Sequence, residues 1–211
     1  MPFAVEAFVA QCQLAASQPD PSVAVRAIVA AAIADGAAID AALGYNKQGA
    51  RDTLFSSPEL TIQRIGWPPG IRTGPHEHRV WAVVGVYVGT ELNRLFQRTS
   101  QGLVERSVCN VGQGEVLVLD DAAIHAVTNP HHGRTVGLHV YGGDITTASR
   151  SEWDPNGQEV PFGTGGAAQL VDDCFLMSAR DLISKSASQN RGVDGDRAEI
   201  TSLARSRRLR R

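Results

Sequence analysis

Cysteine is scarce in this chain: Cys12, Cys109 and Cys174 are the three among 211 residues, and no two stand in a CxxC spacing. Three thiols cannot all pair, which argues against a disulfide framework and against a thiolate zinc site, so a reducing, cytoplasmic setting is expected. Long apolar runs are missing as well. No segment approaches the length needed to span a bilayer, and no membrane association is expected. The opening stretch MPFAVEAFVAQCQLAASQ has no basic region and reaches Glu6 early, unlike a secretory signal. Net charge is only −2, yet Arg205, Arg207, Arg208, Arg210 and Arg211 crowd the last seven residues, and the remaining 15 basic residues face 22 acidic ones. The body is therefore mildly acidic. No aromatic residue interleaves with those arginines, so the tail reads as a solvated terminus and nucleic acid is not an expected partner.

What the chain has instead is turn chemistry. Twenty-one Gly and ten Pro, most of them between short β-branched runs, predict a β-rich middle, and 43% hydrophobic content is enough for a sizeable core. Residues 3–17 and 22–44 carry Ala, Val, Leu and Ile at helical spacing, with Pro21 and Ser22 placed to start the second segment and Gly36 placed to interrupt it. From about Glu59 the runs LTIQRIGW, RVWAVVGVYV, LNRLFQRT, LVERSVC, EVLVLD, HAVTN and TVGLHVYG read as seven short strands, which implies a sandwich or barrel. QLVDDCFLMSARDLISKS reads as a short C-terminal helix. The expected organisation is an N-terminal helical segment over 1–50 packed on the barrel, a metal-binding β domain over 51–183 and a polar, Arg-rich tail over 184–211.

Three of the six His carry the chemistry. PGIRTGPHEHRVW places His76 and His78 two apart at the start of a strand, where alternation turns both imidazoles to one face. His125 opens another strand in GQGEVLVLDDAAIHAVTNP. The two segments resemble the paired cupin motifs. Gly70, His76 and His78 match the first at its spacing, and Gly114, His125 and Asn129 match the second, with Asp120 where the family has Pro and Ala122 where it has Gly. The resemblance implies a mainly β fold, a cupin double-stranded β-helix (jelly-roll) barrel, holding one metal ion on His76, His78 and His125. A rigid barrel aims imidazoles from adjacent strands at one point and leaves the far side of the ion open, which is a catalytic arrangement. Where the first motif usually supplies a Glu ligand, this chain has Ala82 and Val83, and Glu91 comes too late in the sequence to replace it.

Downstream, TVGLHVYGGDITTASR is similar to the thiol dioxygenases, cupins that use three-His ferrous iron and O2 to convert a thiol into a sulfinate. Their Ser-x-His-x-Tyr pattern is matched by His139 and Tyr141, with Gly137 replacing the Ser, so that water is expected to orient His139. The chain is most similar to the 3-mercaptopropionate dioxygenase branch, in which an Arg nine residues after the Tyr binds the substrate carboxylate. Arg150 stands there. Val83 occupies the place of the Cys that cross-links to the Tyr in animal-type cysteine dioxygenase, so that cross-link cannot form. The resemblance covers residues 60–155. It implies Fe(II) as cofactor, a small carboxylate-bearing thiol and O2 as partners, Arg150 as the carboxylate clamp, Tyr141 in contact with the substrate and His139 positioning Tyr141. Other readings of the same residues are a different metal-dependent cupin enzyme, acting on carbon substrates, or a non-catalytic ligand-binding cupin. Arg72 is a second candidate anion clamp; His131 and His132 read as loop residues, Trp81 as packing and Cys109 as an inert thiol.

Overall fold

The computed structural model describes residues 2–46, 50–164, 168–170 and 198–202. Three helices come first: α1 (Val5–Ala16), α2 (Pro21–Ile33) and α3 (Gly36–Leu43). Pro21 opens α2 where a missing N–H costs nothing. The break expected at Gly36 is real, and Asp35 restarts the helix by accepting a hydrogen bond from the Ala38 N–H at 3.0 Å. Among the described residues no single helix is long and apolar enough to cross a bilayer.

The strands, numbered along the chain, form two antiparallel sheets. The first runs in the spatial order β1 (Arg51–Ser56), β2 (Thr61–Trp67), β10 (Thr135–Tyr141), β5 (Ala82–Val88), β8 (Glu115–Leu119) and β14 (Ala198–Ser202). The second runs β12 (Glu159–Pro161), β11 (Ser151–Trp153), β4 (His76–Glu77), β9 (Ile124–Thr128), β3 (Ile71–Thr73) and β13 (Ala168–Leu170). A long hairpin of β6 (Thr90–Thr99) and β7 (Gly102–Gly112) joins it through β6 on β9. This is the mainly β, two-sheet arrangement that the pattern of short runs predicts.

Both faces of the first sheet are covered, which is why AVVGVYV in β5 reads as an unbroken apolar run rather than an alternating one. On the outer face Ile62, Val83, Tyr87, Leu138 and Val140 meet Phe8, Val25, Val29 and Ile33 of the helices. On the inner face Ala82, Val84, Val86, Leu117, Leu119 and Tyr141 form a second core inside the barrel. The helix expected over QLVDDCFLMSARDLISKS lies outside the described residues apart from Gln169 and Leu170, which belong to β13. Within the stretch expected to be a solvated tail, Ala198–Ser202 pairs with β8 as β14.

The α2–sheet contact is close enough to be tested. A Cβ at Gly85 would lie 2.4 Å from Val29 Cγ1, inside the packed outer core. Gly85→Val is expected to destabilise the protein by about 1–3 kcal/mol through overpacking, and adding Val29→Ala to recover part of the loss; thermal unfolding followed by circular dichroism reads both.

Candidate metal centre

His76 is placed by strand pairing, because β4 pairs with β9 so that His76 stands opposite His125. The strand is shorter than the HxH spacing predicts. It ends at Glu77, and after His78 the chain bends at Arg79, which takes a left-handed φ of 60°, before it enters β5. Between the two imidazoles, Glu77 points the other way and is buried, accepting hydrogen bonds from Arg98 Nη2 at 3.3 Å and the Ser151 N–H at 3.2 Å, and from Arg79 Nε. That carboxylate ties β4 to β6 and β11 and so holds the HxH segment rigid.

The three rings converge. Centroid separations are 5.2 Å for His76–His78, 4.6 Å for His76–His125 and 4.9 Å for His78–His125. One nitrogen from each lies within 4.8 Å of the others, and among the described residues this group contains no carboxylate. Tautomers are set from outside. His76 Nδ1 lies 3.1 Å from the Gly74 carbonyl and His125 Nδ1 lies 2.9 Å from Asn93 Oδ1, so each Nδ1–H donates outward and each Nε2 lone pair faces inward. His125 Nε2 and His78 Nε2 are 3.4 Å apart, a separation that suits two ligands each about 2.1 Å from one ion. His78 Nδ1 has no hydrogen-bond partner among the described residues, so His78 Nε2 can either donate to His125 Nε2 or share a cation with it. The donor set therefore fits a divalent metal, and three neutral imidazoles leave its whole charge uncompensated.

Loss of solvent lowers all three imidazoles, His76 to about 4 and His78 and His125 well below their ordinary range, so they are neutral and ready to ligate at physiological pH. His139 and Tyr141 sit on β10, their side chains on its barrel-facing side, with Tyr141 Oη 3.3 Å from His139 Nδ1 and the Tyr141 ring 5.0 Å from that of His78. Burial pushes the Tyr141 phenol up to about 12, so it keeps its proton. Arg150 is delivered by β11, which pairs with β4 so that Glu152 stands opposite His76. Its guanidinium stacks 3.3 Å from the Phe162 ring centre, and Phe162 in turn lies 5.7 Å from the His76 ring. Burial lowers Arg150 to about 10, leaving it charged, and its charge contributes to the lowering of His76 and His78.

The remaining candidates separate cleanly. Arg72 is exposed on β3 with Arg94 and Glu105 as its charged neighbours. His131 and His132 lie in the turn before Gly133, and Asn129 closes that turn by accepting from the His131 N–H and donating to the Gly133 carbonyl. Trp81 packs on the outer core and against Gly142. Burial pushes the Cys109 thiol up to about 12, consistent with an inert residue. Where the second motif has Asp120 instead of Pro, the Asp120 carboxylate accepts the Ala122 N–H at 3.1 Å and makes the turn by side-chain capping. Sequence spacing does not disclose Asn93, Phe162 or the place of Glu91. Glu91 follows the turn after β5 as the second residue of β6, where it is 1% exposed and its Oε1 accepts the Trp67 indole N–H at 2.8 Å.

Three imidazoles converge inside a two-sheet antiparallel barrel. This is the two-sheet, three-histidine arrangement that the paired motifs predict. No family model matches the chain. Among solved structures, a mutant of Bacillus subtilis oxalate decarboxylase is similar over 51% of this chain at 15% identity and a TM-score of 0.40, and this chain spans 29% of that protein's length. A cupin superfamily protein from Desulfitobacterium hafniense is similar over 49% of this chain and 87% of its own, with 17% identity and a TM-score of 0.40. An uncharacterised double-stranded β-helix protein from Klebsiella pneumoniae is similar over 51% of this chain and 81% of its own, with 13% identity and a TM-score of 0.41.

Two outcomes test the centre. Asn93→Leu keeps the bulk and removes the acceptor for His125, and it should weaken Co(II) or Zn(II) binding about 10- to 100-fold in a competition titration, whereas His125→Ala should abolish it. Metal-free protein should lose stability as pH falls from about 6.5 toward 4. In that window the unfolded chain's imidazoles take up protons while the buried ones do not, so the unfolded state is favoured by acid; chemical denaturation at stepped pH measures the slope.

Proposed function

We propose that the protein is an Fe(II)-dependent thiol dioxygenase acting on a small thiol that carries a carboxylate, 3-mercaptopropionate or a cysteine-like compound. The observation that carries this reading is Arg150: a half-buried guanidinium beside the three-His group, stacked on Phe162. Desolvation weighs more on Arg150 than the opposing charge of Glu152 does, and an anionic ligand offsets that cost. A carboxylate meets the planar guanidinium through paired hydrogen bonds, which fixes the ligand's far end and leaves its sulfur directed at the three imidazoles.

His76, His78 and His125 would hold the iron, which when bound supplies the acidity that makes a thiolate and the electrons that activate O2. Because these residues add no negative charge, the centre favours an anionic sulfur. Arg150 orients the carboxylate, and Tyr141 places its phenol beside His78, where a reacting sulfur or oxygen would sit. The inner-face core, with Val84 and Leu117 fully buried, keeps bulk water from the reacting side. In balance, R–SH and O2 give R–SO2⁻ and H⁺: sulfur loses four electrons, both oxygen atoms are reduced and end on sulfur, and the proton leaves to solvent.

The test is anaerobic reconstitution with Fe(II), then O2 uptake and sulfinate formation with 3-mercaptopropionate, cysteine and mercaptosuccinate. The expected result is one O2 consumed per sulfinate formed. Arg150→Ala should lower kcat/KM for the acid thiols about 30- to 1000-fold, corresponding to about 2–4 kcal/mol, and leave a thiol without a carboxylate, such as 2-mercaptoethanol, little changed. Iron binding with no oxidation of any thiol would overturn the substrate class and turn attention to carbon-centred substrates.

A further inference from the structure

Glu91 is the buried carboxyl group that the reading above leaves unused. Its side chain is 1% exposed, Oε1 accepts the Trp67 indole N–H at 2.8 Å, and Oε2 has no hydrogen-bond partner. Facing it is another unsatisfied atom: His139 Nε2 is buried without a hydrogen-bond partner and lies 3.4 Å from Glu91 Oε1. The other nitrogen of the same ring, Nδ1, lies 3.3 Å from Tyr141 Oη. A carboxylate, an imidazole and a phenol thus stand in a row that ends beside His78.

We propose that Glu91 is a positioning residue that fixes His139 as its Nε2–H tautomer, so that Nδ1 accepts the Tyr141 hydroxyl and the phenol oxygen faces the three-histidine site as an acceptor. A neutral imidazole has one N–H, and an ionised carboxylate can only accept, so the hydrogen goes to the nitrogen beside Glu91. Tyr141 keeps its proton and therefore has one hydrogen to donate. With His139 Nδ1 as its recipient, the lone pairs of Oη are what remain for a ligand. Gly137 is part of the arrangement. A Cβ there would sit 3.1 Å from His139 Nε2, so glycine leaves the ring edge free to meet Glu91, and the carboxylate supplies from β6 the orientation that the sequence leads one to assign to water.

The proposal extends the assignment of His139 and Tyr141 to the site, but its test needs neither iron nor thiol. In metal-free protein labelled with 15N-histidine, long-range 1H–15N correlation spectra at neutral pH report which ring nitrogen of His139 is protonated, with His139→Gln providing the assignment. The expected result is a protonated Nε2 and a bare Nδ1 in the native protein, and a shift of both resonances toward a tautomer mixture in Glu91→Gln. Glu91→Asp, which keeps the charge, should retain the native tautomer. A native His139 protonated at Nδ1 would overturn the proposal, and so would native resonances in a folded Glu91→Gln protein. The native spectrum decides even if Glu91→Gln fails to fold. Should the dioxygenase activity hold, Glu91→Gln is expected to lower kcat and leave KM for the thiol within a factor of about two, since Arg150 binds the substrate; loss of activity with an unchanged tautomer would assign Glu91 a packing role instead.

Discussion

The site depends on one constraint: imidazole nitrogens inside a low-polarity barrel must be aimed at a common point, and for two of the three histidines a hydrogen bond to the other nitrogen does the aiming. The Gly74 carbonyl does this for His76 and the Asn93 amide oxygen does it for His125. Both partners are fixed in turn by the pairing of β4 with β9 and of β6 with β9. Glu77, turned to the opposite face of β4, clamps the segment to its neighbours through Arg98 and Ser151. Strand register, side-chain rotamer and tautomer are thus successive layers of one geometry.

Charge is distributed along the same axis. Arg150 brings positive charge to the side of His76, the three imidazoles contribute none, and the carboxylate of Glu91 lies on the other side near His139 and Trp67. An anionic ligand entering this gradient would be drawn with its charged end toward the guanidinium. The stacking of Arg150 on Phe162 helps here, because a guanidinium held flat over a ring presents its edge, where the N–H donors are, to an incoming carboxylate.

Much of this was legible in the sequence, and the reasons for the gaps are physical. His76, His78 and His125 were readable as candidate ligands because they sit at fixed distances from turn glycines, and the two-residue step of a strand turned His139 and Tyr141 to one face. Arg150 could be placed by likeness but not by periodicity, since its position comes from the pairing of Glu152 with His76 across two distant segments. The partners of Glu91 were not readable from linear distance: the chain reverses after β5, and β6 returns Glu91 to Trp67 and His139. The signal was present in TELNRLF, where Glu91 and Asn93 are polar at alternate positions of an apolar strand, a pattern that marks a buried polar face as readily as a solvated one. Nothing in the sequence marks Phe162, because a loop aromatic has no periodicity to reveal its partner.

The two faces of the first sheet divide the labour of the chain. Its outer face, sealed by α1 and α2, is built from residues such as Ile62, Val83 and Leu138 that do nothing but exclude water. Its inner face shares the barrel with His139, Tyr141 and Glu91, which are poor material for a hydrophobic core. Placing an apolar layer outside the barrel separates the source of stability from the source of chemistry. Such a chain can exchange polar residues within the barrel, and so change the molecules it handles, while the layer that holds it folded stays as it is.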